Sequence, residues 1–207
     1  MDNDQITRKE RERIWHRTEI LSKALDLFSE KGFHNVSMQD IAVRSEYAVG
    51  TLYNFFQSKE QLFEELRNNC ADKILHVLGP ILETDESEEQ KLRNFIKTHS
   101  ESTEENLKFI KMYVSAYGTL TPTQSSSDSD KKSYEVKAML INKIKEVVNT
   151  GIAKKVLKPI DTEIYVLSLV SSLQAFILES SKSYDKAKVK RGLANLESLF
   201  LDLLISK

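Results

Sequence analysis

Cysteine, glycine and proline are scarce in this chain. Its 207 residues include 1 Cys, 6 Gly and 3 Pro. A single cysteine forms no intrachain disulfide, and without clustered histidines it builds no structural zinc site. Cys70 lies four residues after Leu66 and four before Ile74, which favours a buried apolar residue over a redox-sensing thiol. Strand-type alternation is also rare, whereas 3.6-residue periodicity is frequent, so we expect an all-α fold.

Long hydrophobic runs are missing as well. No apolar run reaches the roughly 18–20 residues that cross a bilayer, because serines and a glutamine interrupt the longest candidate, Ile164 to Leu178. The N-terminal stretch MDNDQITRKERERIW is charged, unlike a signal or transit peptide. We therefore expect a soluble cytoplasmic protein with no membrane contact.

The chain has no overall basic charge, since its formal net charge is −1. A nucleic-acid-binding protein usually has a basic surface, so the bulk charge does not indicate one. Residues 8–17, RKERERIWHR, do concentrate five Lys and Arg against two Glu. Such a run is either the solvated face of a helix or a local site of phosphate attraction.

Periodicity and capping signals predict helices throughout the chain. A Ser-rich polar stretch at 118–132 is expected to be a mobile loop. Two domains are predicted, a small one at 1–58 and a larger helical one at 59–207. The predicted helices lie at about 8–31, 38–45, 49–56, 59–78, 88–102, 104–117, 133–155, 162–181 and 185 to the C-terminus.

Two of these helices are short and are separated by only three residues, Glu46-Tyr47-Ala48. After a longer first helix, this spacing predicts a helix-turn-helix arrangement, whose second helix enters the DNA major groove. The residues expected to pack between the two helices are Met38, Ile41, Ala42, Leu52, Phe55 and Phe56. The residues left facing outward or toward an edge are Gln39, Val49, Gly50, Thr51, Tyr53 and Asn54.

The run ALDLFSEKGFHNVSMQDIAVRSEYAVGTLYNFFQSKEQLF resembles the DNA-binding region of the TetR family of transcriptional regulators. The matching features are LF-x-E-K-G-F, a Ser at 37, D-I-A at 40–42, G-T-L-Y at 50–53, two aromatic residues at 55–56 and S-K-E-x-L at 58–62. The resemblance covers roughly residues 10–65, and the rest of the chain matches the family only in helical content and length.

This resemblance implies a homodimeric repressor. Its N-terminal domains would bind a palindromic operator, and a small molecule bound in the C-terminal domain would release the DNA. By analogy, DNA contacts are expected from Ser37, Gln39, Thr51, Tyr53, Asn54 and Lys59. Tyr53 has a structural alternative, packing on the domain surface, and Thr51 and Asn54 could be ordinary helix surface.

The turn departs from the family pattern, since many members have Gly-Val-Ser-Lys where this chain has Glu46-Tyr47-Ala48-Val49. Glu46 would cost stability if the backbone needs a positive φ, and Ala48 cannot cap the next helix. Val49 removes a phosphate contact but could touch a thymine methyl group. Gly50 would permit close approach of the backbone.

Because residues 37–59 have no net charge, phosphate attraction is placed on the N-terminal arm. The arm residues expected to supply it are Arg8, Lys9, Arg11, Arg13 and Arg17.

The larger domain offers weaker signals. The residues predicted to bind the small molecule are His99, Phe109, Met112, Tyr113, Leu167 and Gln174. Apolar and aromatic residues at helical spacing also form ordinary cores, so that alternative stays open. A mostly apolar pocket would suit a lipophilic or amphipathic molecule. No cofactor or metal site is predicted.

The last two helices predict self-association. Val189, Leu193, Leu196, Phe200 and Leu203 follow a heptad-like spacing, and the helix before them is apolar on several faces. A second copy would cover that surface in a four-helix interface, whereas a monomer with a generous core is the alternative.

Two other function classes are alternatives to a regulator. An enzyme is disfavoured because the four histidines lack metal-ligand spacing and no phosphate loop or nucleophile elbow occurs. The remaining alternative is a helical dimeric interaction or sensor module whose head no longer binds DNA.

Overall fold

A computed structural model describes residues 7–118 and 131–205, apart from the side chains of 100–105. The described chain is helical, with short 3₁₀ turns at Phe33–Asn35 and Pro80–Glu83. The all-α prediction is confirmed. The helices are α1 Arg8–Lys31, α2 Met38–Ser45, α3 Val49–Phe55, α4 Lys59–Leu78, α5 Glu88–Glu105, α6 Leu107–Tyr117, α7 Lys131–Ala153, α8 Thr162–Lys182 and α9 Lys186–Leu204.

Local capping explains where the first helices begin. Thr7 and Ser37 each form a reciprocal capping box, with Glu10 and Asp40 three residues on. Ser58 accepts a hydrogen bond from the Gln61 backbone N–H at the start of α4. Each cap satisfies an N–H group that the helix itself leaves without a partner. The predicted bounds of α1, α2 and α4 are confirmed.

Farther along, the observed bounds differ from the predicted ones. The helix expected at 104–117 begins at Leu107, because α5 continues to Glu105. The helix expected at 133–155 runs from Lys131 to Ala153 and is followed by Lys155 in a positive-φ conformation (φ 62°). Most of the predicted mobile loop, residues 119–130, lies outside the described residues.

Two hydrophobic cores organise the fold. The first joins α1, α2 and α3 to the start of α4 and to Met112 and Tyr113 of α6. The second is built from the rest of α4 with α5, α7, α8 and α9. Helix α4 therefore enters both cores, with Phe63 in the first and Leu78 in the second. The domain boundary at 58/59 stays a prediction.

Helix α8 carries more uncovered apolar surface than a core helix needs. By length and composition alone this helix could cross a membrane, although the serines and glutamine that interrupt Ile164 to Leu178 predicted no such helix. Only 33% of its most apolar stretch is buried. Ile164 and Leu167 are 64% and 60% exposed on α8, and Leu199 and Leu203 are 57% and 58% exposed on α9. The core helix of a soluble protein passes the same test, so the finding establishes an apolar face that lacks cover within the described chain.

Helices α8 and α9 approach each other closely at Gly192. A Cβ atom at this position would collide with the ring of Phe176 on α8. A larger residue here would force either the Phe176 ring to move or the two helices to separate.

Candidate nucleic-acid interface and ligand cavity

Helix α3 presents the predicted polar face to solvent. Tyr53 is 50% exposed, Gly50 and Asn54 are also exposed, and Val49 and Thr51 are half-buried. Within the described chain, no atom lies within 4 Å of a Cβ built at Gly50, so internal packing does not require glycine there. The open space leaves room for a close external partner.

The two helices of the motif pack as predicted. Burial on α2 covers Met38, Ile41 and Ala42, and Leu52 of α3 is fully buried. Phe56 is fully buried although it follows the end of α3 at Phe55, one residue earlier than expected. This packing fixes the direction of the exposed face of α3.

The turn between the two helices contains the positive-φ conformation that was expected to cost stability at Glu46. Glu46 is left-handed, with φ 62° and ψ 28°, where glycine has no steric penalty. Ala48 occupies the N-cap of α3, and no side-chain hydrogen bond is made there. Both expectations about this turn are confirmed, and both features weaken the motif's intrinsic stability.

Tyr47 compensates by tying the turn to α1. Its hydroxyl donates to Glu19 Oε2 at 2.9 Å and also contacts His16 Nδ1. The rings of Tyr47 and His16 meet edge to face. Sequence reasoning missed this anchor, because its partners lie 28 and 31 residues away and no local pattern joins them.

The residues predicted on α2 have different environments. Ser37 is exposed, but its hydroxyl accepts from the Asp40 N–H at 3.1 Å and donates to Asp40 Oδ2 at 2.5 Å. Gln39 is exposed on the first turn. A DNA contact from Ser37 would compete with its cap, whereas Gln39 is open to solvent.

Lys59 is directed differently from the prediction. Its ammonium donates to the Phe33 carbonyl oxygen at 2.9 Å and stands 4.4 Å from the centroid of the Phe33 ring. The side chain thus connects α4 to the turn after α1. This internal bond also explains why a cation is tolerated in the first turn of a helix, where the helix dipole disfavours it.

The N-terminal arm separates into exposed and engaged cations. Arg8, Lys9, Arg11 and Arg13 are exposed, and Arg8 pairs with the exposed Glu12 at 2.9 Å. These residues are positioned for an external anion.

Arg17 corrects the arm prediction, because its guanidinium faces inward. Arg17 Nε donates to Glu65 Oε1 at 2.8 Å, and Nη1 donates to the Phe55 carbonyl oxygen at 2.7 Å. The same group lies 4.2 Å from the centre of the Phe56 ring. Arg17 therefore holds α1, α3 and α4 together and has little freedom to reach phosphate.

The larger domain contains a cavity of about 730 Å³ between α4, α5, α6, α7 and α8. This volume lies within the usual range for small-molecule sites. Of the six residues predicted to bind a ligand, four line the cavity: His99, Phe109, Tyr113 and Gln174. Their participation in binding stays a prediction.

Met112 and Leu167 do not line this cavity. Met112 is fully buried in the first core, beneath α1. Leu167 is 60% exposed and belongs to the outer apolar face of α8. Sequence periodicity placed both on apolar faces, but it did not distinguish among the several faces that these helices bury or expose.

Two reactive side chains in the wall are held neutral by their surroundings. Burial lowers the pKa of His99 to about 4, and its ring packs edge to face on Phe95. Burial raises the pKa of the Cys70 thiol to about 12, so thiolate chemistry at neutral pH is suppressed. The prediction that Cys70 is a buried apolar residue is confirmed by its 5% exposure.

Helix α6 connects the cavity to the small domain. Tyr113 lines the cavity and also belongs to the first core. Two polar contacts join the same helix to the small domain: Lys108 Nζ pairs with Asp26 Oδ1 at 2.5 Å, and Ser115 Oγ accepts from the Phe33 N–H at 3.2 Å. The two candidate sites thus share one structural element.

An exposed polar recognition helix, a basic arm and a helical domain with a cavity define a helix-turn-helix transcriptional regulator. A family model described as bacterial regulatory proteins, tetR family, matches residues 20–66. Over these residues the chain matches the tetR family, and the resemblance drawn from the sequence is confirmed.

Comparison with known proteins extends the likeness to the rest of the chain. The transcriptional repressor KstR2 of Mycolicibacterium smegmatis is 26% identical over 135 residues, which cover 65% of this chain and 66% of that protein. The structure of the ketosteroid transcriptional regulator KstR2 of Mycobacterium tuberculosis matches with a TM-score of 0.75 and 18% identity, over 92% of this chain and 95% of that one. The regulator FadR of Bacillus subtilis, in complex with stearoyl-CoA, matches with a TM-score of 0.69 and 16% identity, over 90% and 98%. These structures establish a shared fold.

Proposed function

We propose that this protein is a homodimeric transcriptional repressor that binds a palindromic operator and is released by a lipophilic small molecule. Exposed side chains of α3, chiefly Tyr53 and Asn54, would contact the bases, and Arg8 and Arg11 would contact phosphates. The protein would act in the cytoplasm and carry out no catalysis.

The observation that carries this proposal is the double role of Tyr113. Its ring belongs to the cavity wall and to the core of the DNA-binding domain at once. A ligand that moves this ring must disturb the packing beneath α1 and α4. Such a ligand would favour one orientation of the two DNA-binding domains, which is what allosteric release requires.

The exposed apolar face of α8 and α9 supports the dimer. Four large aliphatic side chains there are more than half exposed: Ile164, Leu167, Leu199 and Leu203. A second copy would cover them through a two-fold, self-complementary four-helix contact. Two-fold symmetry in the protein would correspond to a palindromic operator.

The chemistry of the cavity and two structural relatives support a lipophilic ligand. Most of the wall is apolar, with Phe95, Leu140, Ile144 and Leu173 among its residues. KstR2 of M. tuberculosis is described as a ketosteroid regulator, and FadR of B. subtilis was solved with stearoyl-CoA. A large apolar molecule is therefore the class that we assign to this cavity.

Selection from random duplex DNA tests the proposal. Purified wild-type protein, freed of bound molecules by unfolding and refolding, is compared with a Tyr53→Ala/Asn54→Ala variant. A matched control makes the same two changes at exposed positions on other helices, Tyr134→Ala and Asn69→Ala. We expect the wild type and the control to enrich one palindrome and the α3 variant to enrich none.

The alternative function makes a different prediction for the same selection. A dimeric interaction or sensor module with a non-binding head would enrich no sequence even after refolding. Enrichment of one palindrome by all three proteins would instead place base recognition outside α3.

A further inference from the structure

The cavity is not equally polar along its length. Ion pairs join Lys132 of α7 to Asp72 of α4 at 2.6 Å, and Lys143 of α7 to Glu83 in the 3₁₀ turn that follows α4, so α4 and α7 run in the same direction side by side. Helix α4 starts inside the core of the DNA-binding domain. The first residues of α4 and α7 in the cavity wall therefore form the end nearest that domain, and the last ones form the far end.

The near end carries several of the polar groups of the wall. Arg67 is the first residue of α4 in the cavity wall, and Ser133 is the first residue of α7 in it. Lys137 follows one turn later on α7. Asn106 and Tyr113 come from the adjoining part of α6 and the residue before it. The far end is mostly apolar: His76 lies there on α4, but the main residues are Leu78, Phe95, Leu140, Ile144 and Val170.

The near end is also cationic. Arg67 is only 2% exposed, and its Nη1 donates to the Tyr117 hydroxyl at 3.3 Å. Lys137 is half-buried, and within the described part of the chain no ion pair involves it. Asp72 is the one carboxylate among the described lining residues, and it is already paired with Lys132.

A half-buried ammonium without a carboxylate partner is unfavourable in a cavity that holds only apolar material. Removing a charge from water costs free energy unless an opposite charge or strong acceptors replace the water. Burial accordingly lowers the pKa of the Lys137 ammonium. A ligand with an anionic group at one end would supply the acceptor that Lys137 lacks, through a charge-assisted hydrogen bond from the ammonium.

We propose that the sensed molecule is an anionic amphipath, whose negative group binds Lys137 and whose apolar body fills the far end of the cavity. This inference rests on the proposed function and specifies the class of ligand. The body is aliphatic or fused-ring, and the anion is a carboxylate or a comparable group. Binding would place the charged end beside Tyr113, the residue shared with the DNA-binding domain.

Paired probes that differ only in charge test this inference. Calorimetric titration of the full-length refolded protein uses hexadecanoic acid and a steroid carboxylic acid, each beside its methyl ester. For at least one pair, we expect the wild type to bind the acid about tenfold or more tightly than the ester, the size of effect expected for one charge-assisted hydrogen bond. In Lys137→Met, acid and ester should bind with nearly equal affinity.

The control variant is Lys131→Met, an exposed lysine on the same helix outside the cavity lining. It should keep the wild-type preference for the acid. Equal binding of acid and ester by the wild type, with release of operator DNA by both, would overturn the anionic class and leave the repressor function intact. Binding of no probe by a protein that still binds its operator would overturn both the ligand class and the proposed sensor role.

Discussion

The ring of Tyr113 in α6 stacks on the ring of Phe63 in α4, with centroids 6.4 Å apart and planes inclined by 21°. Phe63 in turn packs on Phe33, with centroids 4.7 Å apart, and Lys59 donates to the Phe33 carbonyl oxygen. A run of aromatic contacts therefore leads from the cavity wall to the base of the DNA-binding domain. Any ligand that rotates Tyr113 acts on this run first.

We predict that Phe63 and Tyr113 are energetically coupled. In a double-mutant cycle with Phe63→Leu and Tyr113→Leu, the coupling energy should be about 0.5–1.5 kcal/mol, the usual value for an aromatic pair. Urea unfolding of the four proteins measures it. Strictly additive effects would show that the two rings touch without stabilising each other.

Glu46→Gly should stabilise the protein. Glycine removes the left-handed strain at φ 62°, and its greater freedom in the unfolded chain offsets part of the gain. The expected net effect is an increase of about 0.5–1 kcal/mol in the free energy of unfolding. Glu46→Ala is the matched control, since it keeps the Cβ atom and should gain nothing. An equal gain from both changes would assign the effect to the lost carboxylate.

Removing two arm charges should reduce the salt dependence of operator binding. Each phosphate contact contributes about −0.9 to the slope of log K against log salt concentration. Arg8→Gln with Arg11→Gln should therefore make the slope shallower by about 2. Lys97→Gln with Lys111→Gln, at exposed positions in the other domain, should leave the slope unchanged. The same slope in both double variants would show that Arg8 and Arg11 of the arm do not contact phosphate.

Acid should destabilise the protein in part through His99. Its pKa is about 4 in the folded chain, against about 6.5 for an unperturbed histidine. Between these two pKa values, His99 binds a proton in the unfolded chain but stays neutral in the folded chain. The stability that neutral His99 contributes is therefore lost as pH falls from about 6.5 to about 4. The loss is on the order of 3 kcal/mol, at about 1.36 kcal/mol per pKa unit.

His99→Phe provides the comparison, because it keeps a ring against Phe95 and carries no proton. Urea unfolding at several pH values should give a flatter stability profile for the variant between pH 4 and 6.5. Parallel profiles for the two proteins would contradict a neutral, buried His99.

The apolar face of α8 and α9 should maintain the dimer. Leu167→Glu with Leu203→Glu would place like charges in the proposed two-fold contact, and we expect sedimentation to detect a monomer with weakened operator binding. Val156→Glu adds one charge at another exposed apolar position and should leave a dimer. A dimer in the double variant would move the interface elsewhere.

Local signals predicted the DNA-binding domain well because they act over a few residues. The capping pair Ser37 and Asp40, the cap at Ser58 and the apolar spacing of α2 fixed the helix bounds and the buried face. Even the strain at Glu46 followed from its place in the turn.

Side-chain direction over long sequence distances could not be predicted in the same way. Lys59 and Arg17 looked like phosphate ligands, but their partners, Phe33 and Glu65, are 26 and 48 residues away. Leu167 lies on a helix that is apolar on several faces, so periodicity did not determine whether it faces the cavity or solvent. Those choices depend on which helices meet, and that is a property of the whole fold.

The contact of Gly192 with Phe176 means that α8 and α9 move together as one rigid helix pair. With no side chain at residue 192, the Phe176 ring packs directly on the α9 backbone, and sliding or tilting of either helix would press the ring against that main chain. If two such helix pairs form the dimer, the separation of the two DNA-binding domains is adjusted by rotating one whole helix pair against the other. In such a dimer, a Gly192→Ala substitution that separates α8 from α9 would change the distance between the two half-sites that the dimer spans.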